Sequence, residues 1–331
     1  MAGDFGTQFM PQMSICHFDG GWSKEQFVAS DQLSIHPAAH VLHYASTCFE
    51  GMKAFRQTDG SVAIFRMDKN IARFDQSSRL LCLPDIDTDQ LARMITDTVA
   101  HFADQVPDAP ASMYIRPTHI GTEPAIGKAA ARSDTSSLFI LLSPVGDYFS
   151  GGEANLRLLL DDQGVRCGPD HGMVKGGGNY ASALKHIERA RLSVNADQVL
   201  FCPDGNVQET GAANFILVDG DEIVTKSLDE SFLHGVTRDS LLTLARDKGL
   251  KVSERELSID ELIERSSNAE CEAGLTGTAA VVAAVGTLIH DGSEHPVGTG
   301  KPGPRIRAMR DELNHIQWGH EDDTRSWLTV V

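Results

Sequence analysis

The sequence predicts an α+β fold in two parts joined near residues 144–154. Strand-like and helix-like periodicities occur before that segment and recur after it, and the segment itself, PVGDYFSGGEA, is rich in glycine and turn formers. At 331 residues the chain is long enough for two domains, each burying its own core.

In the earlier part, SVAIFRM (61–67) follows the turn TDG and reads as a strand. DKNIARFDQSSRLLCL then places Ile71, Phe74, Leu80 and Leu81 near helical spacing, with Asp68 as the expected N-cap. SMYIRPTHI (112–120) and SLFILLSPV (137–145) are the next strands, and the apolar character of the second suits a central position in a sheet. Beyond the joining segment, NLRLLL (155–160) and QVLFCP (198–203) read as strands, and NFILVDGDEIVT (214–225) as a hairpin turning at Asp219 and Gly220. ASALKHIERARLS (181–193), TRDSLLTLARDKG (237–249) and PRIRAMRDELNHI (304–316) read as helices, the second closed by Gly249.

Hydrophobic content of 41% and charged content of 23% are ordinary for a globular protein. A formal net charge of −17 argues against a nucleic-acid partner and against docking on anionic lipid. No apolar run approaches the roughly 20 residues that span a bilayer. The first twenty residues lack the basic start and apolar stretch of a signal peptide. Six cysteines (Cys16, Cys48, Cys82, Cys167, Cys202, Cys271) are scattered without Cys-x-x-Cys spacing, which points to reduced thiols and a cytoplasmic setting. Thirteen histidines form no zinc pattern, so no metal is expected.

The chemistry is concentrated in MVKGGGNY, 173–180. A nucleotide loop of the form G-x-x-x-x-G-K-[ST] places its lysine after the glycines, whereas Lys175 precedes them. The dinucleotide pattern G-x-G-x-x-G fails because Tyr180, Ala181 and Ser182 follow the run. A third reading is a lysine whose amine does covalent chemistry, beside glycines that let a flat cofactor approach the backbone, and the rest of the chain decides among the three.

Nine stretches in order carry a family resemblance: HYASTCFEGMKAFR, RMDKNIARF, MYIRPTHIGTEP, LLSPVGDYFSGG, VKGGGNYASAL, VQETGAANFILV, GVTRDSLL, LTGTAA and IQWGHEDDTRSWLTVV. Together they resemble the fold-type IV pyridoxal-phosphate aminotransferases, and within them the branched-chain amino acid aminotransferases. The resemblance implies a smaller N-terminal α/β domain (1–143), an interdomain loop (144–154) and a larger cofactor-binding domain (155–331) with a β-barrel-like core and helices. It also implies a homodimer acting on small amino acids and 2-oxo acids.

Under that resemblance Lys175 would carry pyridoxal 5'-phosphate through its amine and later serve as the base for proton transfer. Glu209 would pair with the ring nitrogen, and Tyr180 with the phenolic oxygen. Arg73, the amides of Val236 and Thr237, and Thr278 would hold the phosphate. Tyr114 and Arg116, two apart and on one face of a strand, would bind the distal carboxylate of glutamate or organise a substrate loop. Thr278 and Ala279 would supply amides to the α-carboxylate, while Phe49, Tyr44 and Tyr148 would form the side-chain pocket.

Two features depart from the pattern. Ala280 and Ala283 stand where some animal members carry a Cys-x-x-Cys, and the helix after the glycines carries Lys185 and His186, for which the sequence offers no role. D-amino-acid aminotransferase, R-selective amine transaminase and aminodeoxychorismate lyase are the alternatives within the fold. A nucleotide-binding protein using KGGGN is the alternative outside it.

Overall fold

The computed structural model describes residues 5–147, 153 and 155–331. It divides into two compact units, the first comprising residues 1–150 with 174–178 and 315–331, the second 151–173 with 179–314. Of the 144–154 segment, Pro144 and Val145 end a strand, while 148–152 and 154, including Tyr148, lie outside the described residues.

The first unit begins with strands β1 (Gln12–Asp19) and β2 (Gln26–Ala29) and the short helix α1 (His40–Tyr44). Strands β3 (Thr47–Phe49), β4 (Met52–Arg56) and β5 (Val62–Phe65) lead to helices α2 (Met67–Leu80) and α3 (Thr88–His101), then to β6 (Ser112–Gly121) and β7 (Thr135–Val145). With the C-terminal strand Leu328–Val330 they form an eight-stranded antiparallel sheet, ordered C-terminal strand, β5, β4, β6, β7, β1, β2, with β3 also on β6. That last strand seats the chain's end in the first unit, although the linear division placed it with the second. As its apolar run suggested, β7 is interior, flanked by β1 and β6.

The N-cap of helix α2 falls two residues before the expected Asp68. Arg66 is the N-cap, with φ 50° and no side-chain cap bond, and Asp68 falls in the first turn, where its charge still favours the helix dipole. Ile71 and Phe74 enter the core beside Leu91, Met94, Ile95 and Val99 of α3, but Leu80 is exposed.

On β6, Pro117 has no N–H to give a neighbouring strand. Opposite it the pairing changes hands: β3 covers Thr118 to Ile120 and β4 covers Met113 to Ile115. Glu50 and Gly51 occupy the gap, held by the Glu50 amide donating to the Pro117 carbonyl at 2.9 Å.

The second unit starts at β8 (Asn155–Asp161) and continues through α4 (Gly177–Val194), β9 (Gln198–Phe201), β10 (Asn214–Asp219) and β11 (Glu222–Thr225). Helix α5 (Val236–Asp247), strand β12 (Lys251–Glu254), helix α6 (Ile259–Ser266), strands β13 (Glu272–Gly277), β14 (Val281–His290) and β15 (Ser293–Pro296), and helix α7 (Pro304–Gln317) follow. The sheet order is β12, β11, β10, β13, β14, β8, β9, with β15 also on β14. Strands β8 and β9, separated in sequence by α4, are parallel, as are β11 and β12, separated by α5; parallel neighbours need such crossovers.

The expected hairpin is present, with Gly220 at φ 58° between β10 and β11. The expected stop of α5 is present too. Gly249 sits at φ 77°, its N–H bonds to the Arg246 carbonyl and that of Leu250 to Ala245, the paired pattern of a Schellman terminus. No helix among the described residues is long and apolar enough to cross a membrane.

Beneath α2, His119 is fully buried, its two ring nitrogens 3.1 Å from the Ser78 hydroxyl and 2.9 Å from that of Ser136. Burial pushes its pKa down to about 3. An unfolded histidine takes up its proton near pH 6.5, so the unfolded state holds one more proton between there and about pH 3. Stability should therefore fall as pH drops through that window, by about 1.4 kcal/mol per pH unit from this residue. Urea unfolding at pH 7, 6 and 5 should show a shallower decline for His119→Gln than for the parent, and equal slopes would remove His119 as the cause.

Candidate active site

Lys175 belongs to the first unit, where its backbone is held from two sides. Its N–H donates to the Ser77 hydroxyl on α2 at 3.0 Å, and its carbonyl accepts from the Phe49 amide at the end of β3 at 3.0 Å. Gly176 pairs with Cys48 as an isolated bridge, and a Cβ on it would sit 3.1 Å from the Thr47 carbonyl. One use of this glycine is thus close approach to the sheet.

Two cations lie near the Phe49 ring: Lys175 Nζ is 5.3 Å from its centroid and Arg116 Cζ 4.6 Å. Arg116 Nη2 donates to the Tyr114 hydroxyl at 2.7 Å, and that hydroxyl lies over Gly51, where a Cβ would approach to 2.0 Å. Tyr114 and Arg116 do share one face of β6, and Phe5 packs edge-on against Tyr114 with ring centroids 4.9 Å apart.

Arg73 lies one helical turn before Ser77 on α2. Its Nε and Nη2 grip the carboxylate of Glu50 at 2.6 and 2.8 Å, and the Glu50 side chain is fully buried. Tyr44 has different neighbours: its hydroxyl donates to the Ile126 carbonyl and its ring packs against His40.

In the second unit, Glu209 is 1% exposed. Its Oε1 accepts from Arg166 Nη1 at 2.8 Å and from the Leu233 amide at 2.9 Å, and Oε2 accepts from Asn214 Nδ2 at 3.2 Å. Tyr180, in the first turns of α4, has its ring centroid 6.0 Å from Arg166 Cζ. Helix α5 opens with Val236 and Thr237 after the N-cap Gly235, which offers their amides no side-chain acceptor. A Cβ at Gly235 would meet Asn214 Oδ1 at 2.0 Å, so the helix start is fitted closely to the residue that also holds Glu209. Thr278 and Ala279 lie in the turn between β13 and β14, where Val281 has φ 60°.

Within the first unit the Lys175 backbone is held in place near Arg116 and Phe49, and within the second the Glu209 carboxylate is deeply buried. A family model described as amino-transferase class IV matches residues 47–286. The chain belongs to that family. Among its members it is 38% identical to branched-chain-amino-acid aminotransferase 2 of Bacillus subtilis, covering 99% of this chain and 92% of the relative. It is 40% identical to the probable branched-chain-amino-acid aminotransferase of Streptomyces coelicolor, with the same two coverages of 99% and 92%. The fold matches the T.th. branched-chain amino acid aminotransferase solved with pyridoxamine 5'-phosphate, with TM-score 0.79, 26% identity, and 96% of this chain and 97% of that one covered.

Sequence reasoning about this aminotransferase missed Glu50, Ser77, Arg166 and Asn214. Glu50 was within reach, as an acid beside glycine in a stretch already singled out. Arg166 carries no such signal, since it lies in an irregular loop and meets Glu209 only through the fold. His186, without a role from sequence, bonds to the Asp161 carboxylate at 2.9 Å and so ties α4 to the end of β8. The six cysteines are free, and burial pushes the Cys271 thiol up to about 12; Ala283 is buried on β14. Among the described residues no group of three His, Cys, Asp or Glu could hold a metal ion.

Removing one partner of a buried ion pair strands the other charge, at a typical cost of about 3–5 kcal/mol. Glu50→Ala should destabilise the protein on that scale, and adding Arg73→Met should recover much of the loss. Equilibrium denaturation of the two variants checks this; an unchanged midpoint in Glu50→Ala would mean the pair is not an energetic tie.

Proposed function

We propose that the protein transfers amino groups between leucine, isoleucine or valine and 2-oxoglutarate, giving branched-chain 2-oxo acids and L-glutamate, with pyridoxal 5'-phosphate as cofactor. The observation that carries this reading is the pair of cations about the Phe49 ring, Lys175 Nζ at 5.3 Å and Arg116 Cζ at 4.6 Å. An amine for covalent work and a carboxylate-binding guanidinium lie near one apolar surface, and an amino acid carries all three complements.

The residues present fit the cofactor. A lysine with a fixed backbone, a buried carboxylate and helix amides without a side-chain cap are the donor set that a cationic ring and a phosphate require. When bound, pyridoxal phosphate supplies an electron-withdrawing ring that stabilises negative charge at the substrate α-carbon. Lys175 would hold it covalently and, once displaced by the substrate amine, take the proton from the α-carbon. Glu209 would hold the ring nitrogen and Tyr180 the phenolic oxygen, with Arg73, Thr278 and the amides of Val236 and Thr237 on the phosphate. Thr278 and Ala279 would orient the α-carboxylate, Tyr114 and Arg116 the distal carboxylate of glutamate, and Phe49, Tyr44 and Tyr148 the side chain. The reading includes a cytoplasmic homodimer, which light scattering on the purified protein would test.

Borohydride reduction followed by peptide mapping should place the cofactor on Lys175; a label on Lys128 or Lys185 instead would sink the assignment. Leucine, isoleucine and valine should all serve as donors, because an apolar pocket separates them by only about 1–3 kcal/mol. D-Alanine or an R-amine outperforming all three would favour another branch of the family. In single-turnover measurements Arg116→Ala should slow the glutamate half-reaction more than the leucine one, and equal losses would assign Arg116 to organising the loop.

A further inference from the structure

We propose that Arg166 is the positioning residue that keeps Glu209 ionised, so that the shared proton resides on the cofactor's ring nitrogen rather than on the carboxylate. This deepens the reading above and rests on it.

A ring nitrogen and a carboxylate in contact share one proton, which goes to the stronger base. If Glu209 wins, the pair is a neutral pyridine and a carboxylic acid; if it loses, the pair is pyridinium and carboxylate. Only the second draws electrons strongly from the substrate α-carbon. Burial pushes towards the first, since removal from water disfavours the charged form of an acid. Glu209 is 1% exposed, and two of its donors, the Leu233 amide and the Asn214 side chain, are neutral. Arg166 Nη1, at 2.8 Å on Oε1, brings a formal positive charge to that carboxylate and favours its ionised form. Of the other titratable groups at hand, the Cys167 thiol is pushed up by burial and is neutral, and Tyr180 presents its ring to the guanidinium.

The guanidinium is built into place. Arg166 is 1% exposed, and Nη1 also points towards the Gly172 carbonyl at 3.5 Å. Gly172 lies against the backbone of Ser231, where a Cβ would come within 2.0 Å. The loop that presents Arg166 is therefore packed on the segment that presents the Leu233 amide, and both donors to Oε1 share one support.

The test is nitrogen-15 NMR of protein reconstituted with pyridoxal phosphate labelled at the ring nitrogen. The parent should give a pyridinium signal at neutral pH. Arg166→Met should shift it to the neutral-pyridine range and lower kcat with cofactor still bound, and Arg166→Lys should restore the pyridinium signal. Arg166→His should convert one form to the other with pH as the introduced imidazole titrates, which keeps the test available if Arg166→Met does not fold. A pyridinium signal in Arg166→Met, or one independent of pH in Arg166→His, would overturn the proposal. Failure of the parent itself to bind cofactor at Lys175, or to show pyridinium, would instead overturn the underlying reading of Lys175 and Glu209.

Discussion

A missing hydrogen-bond donor organises the first unit. Because Pro117 cannot donate, one edge of β6 is shared by two short strands rather than one long one, and the residues between them are Glu50 and Gly51. The break places the Glu50 carboxylate where α2 can reach it through Arg73, and it leaves Gly51 bare so that the Tyr114 hydroxyl can lie over it. Phe49 ends the strand just before the break and carries both the Lys175 backbone and the ring shared by the two cations. A proline in mid-sheet usually costs a ladder bond; here the absent bond is where the chemistry is mounted.

Buried charge is handled in the same way in both units. Glu50 is matched by Arg73, and Glu209 by Arg166, with each carboxylate also taking backbone or amide donors. Such pairs add little net stability compared with apolar packing, because desolvation offsets attraction, but they hold charged groups in one orientation. The charges proposed to meet a phosphate and a ring nitrogen are thus already oriented by the protein.

Much of this was legible in the sequence, for reasons that can be named. The interior position of β7 followed from its unbroken apolar run, the hairpin from Asp219 and Gly220, and the end of α5 from Gly249. These are local rules with strong signals. The N-cap of α2 was displaced by two residues, to Arg66 with its left-handed φ, an arrangement supported by the hydrogen bond from its N–H to the Trp327 carbonyl far along the chain. Leu80 fitted the spacing of a core position and is exposed, whereas Ser77 and Ser78 in the same last turn are the buried residues. Helix α3 and strands β1 and β2 went unread, although α3 shows its apolar stripe and an Asp87 cap bonded to the Asp89 and Gln90 amides. At the site, motif residues could be named one by one, but Arg166 and Ser77 act through contacts between distant segments, which no short pattern encodes.

The amide of Phe49 bound to the carbonyl of Lys175 has a consequence for how this site tolerates change. The lysine's place is inherited from the pairing of β3 with β6, not from the conformation of a loop. Side chains alternate between faces along a strand, so a one-residue slip there would turn Phe49 over and carry the lysine's anchor with it. Lengthening the surface turns leaves that pairing intact, whereas a single residue added between 47 and 49 would reset it. The segment should therefore behave over evolutionary time as a ruler of fixed length set inside a chain whose outer loops are free to vary.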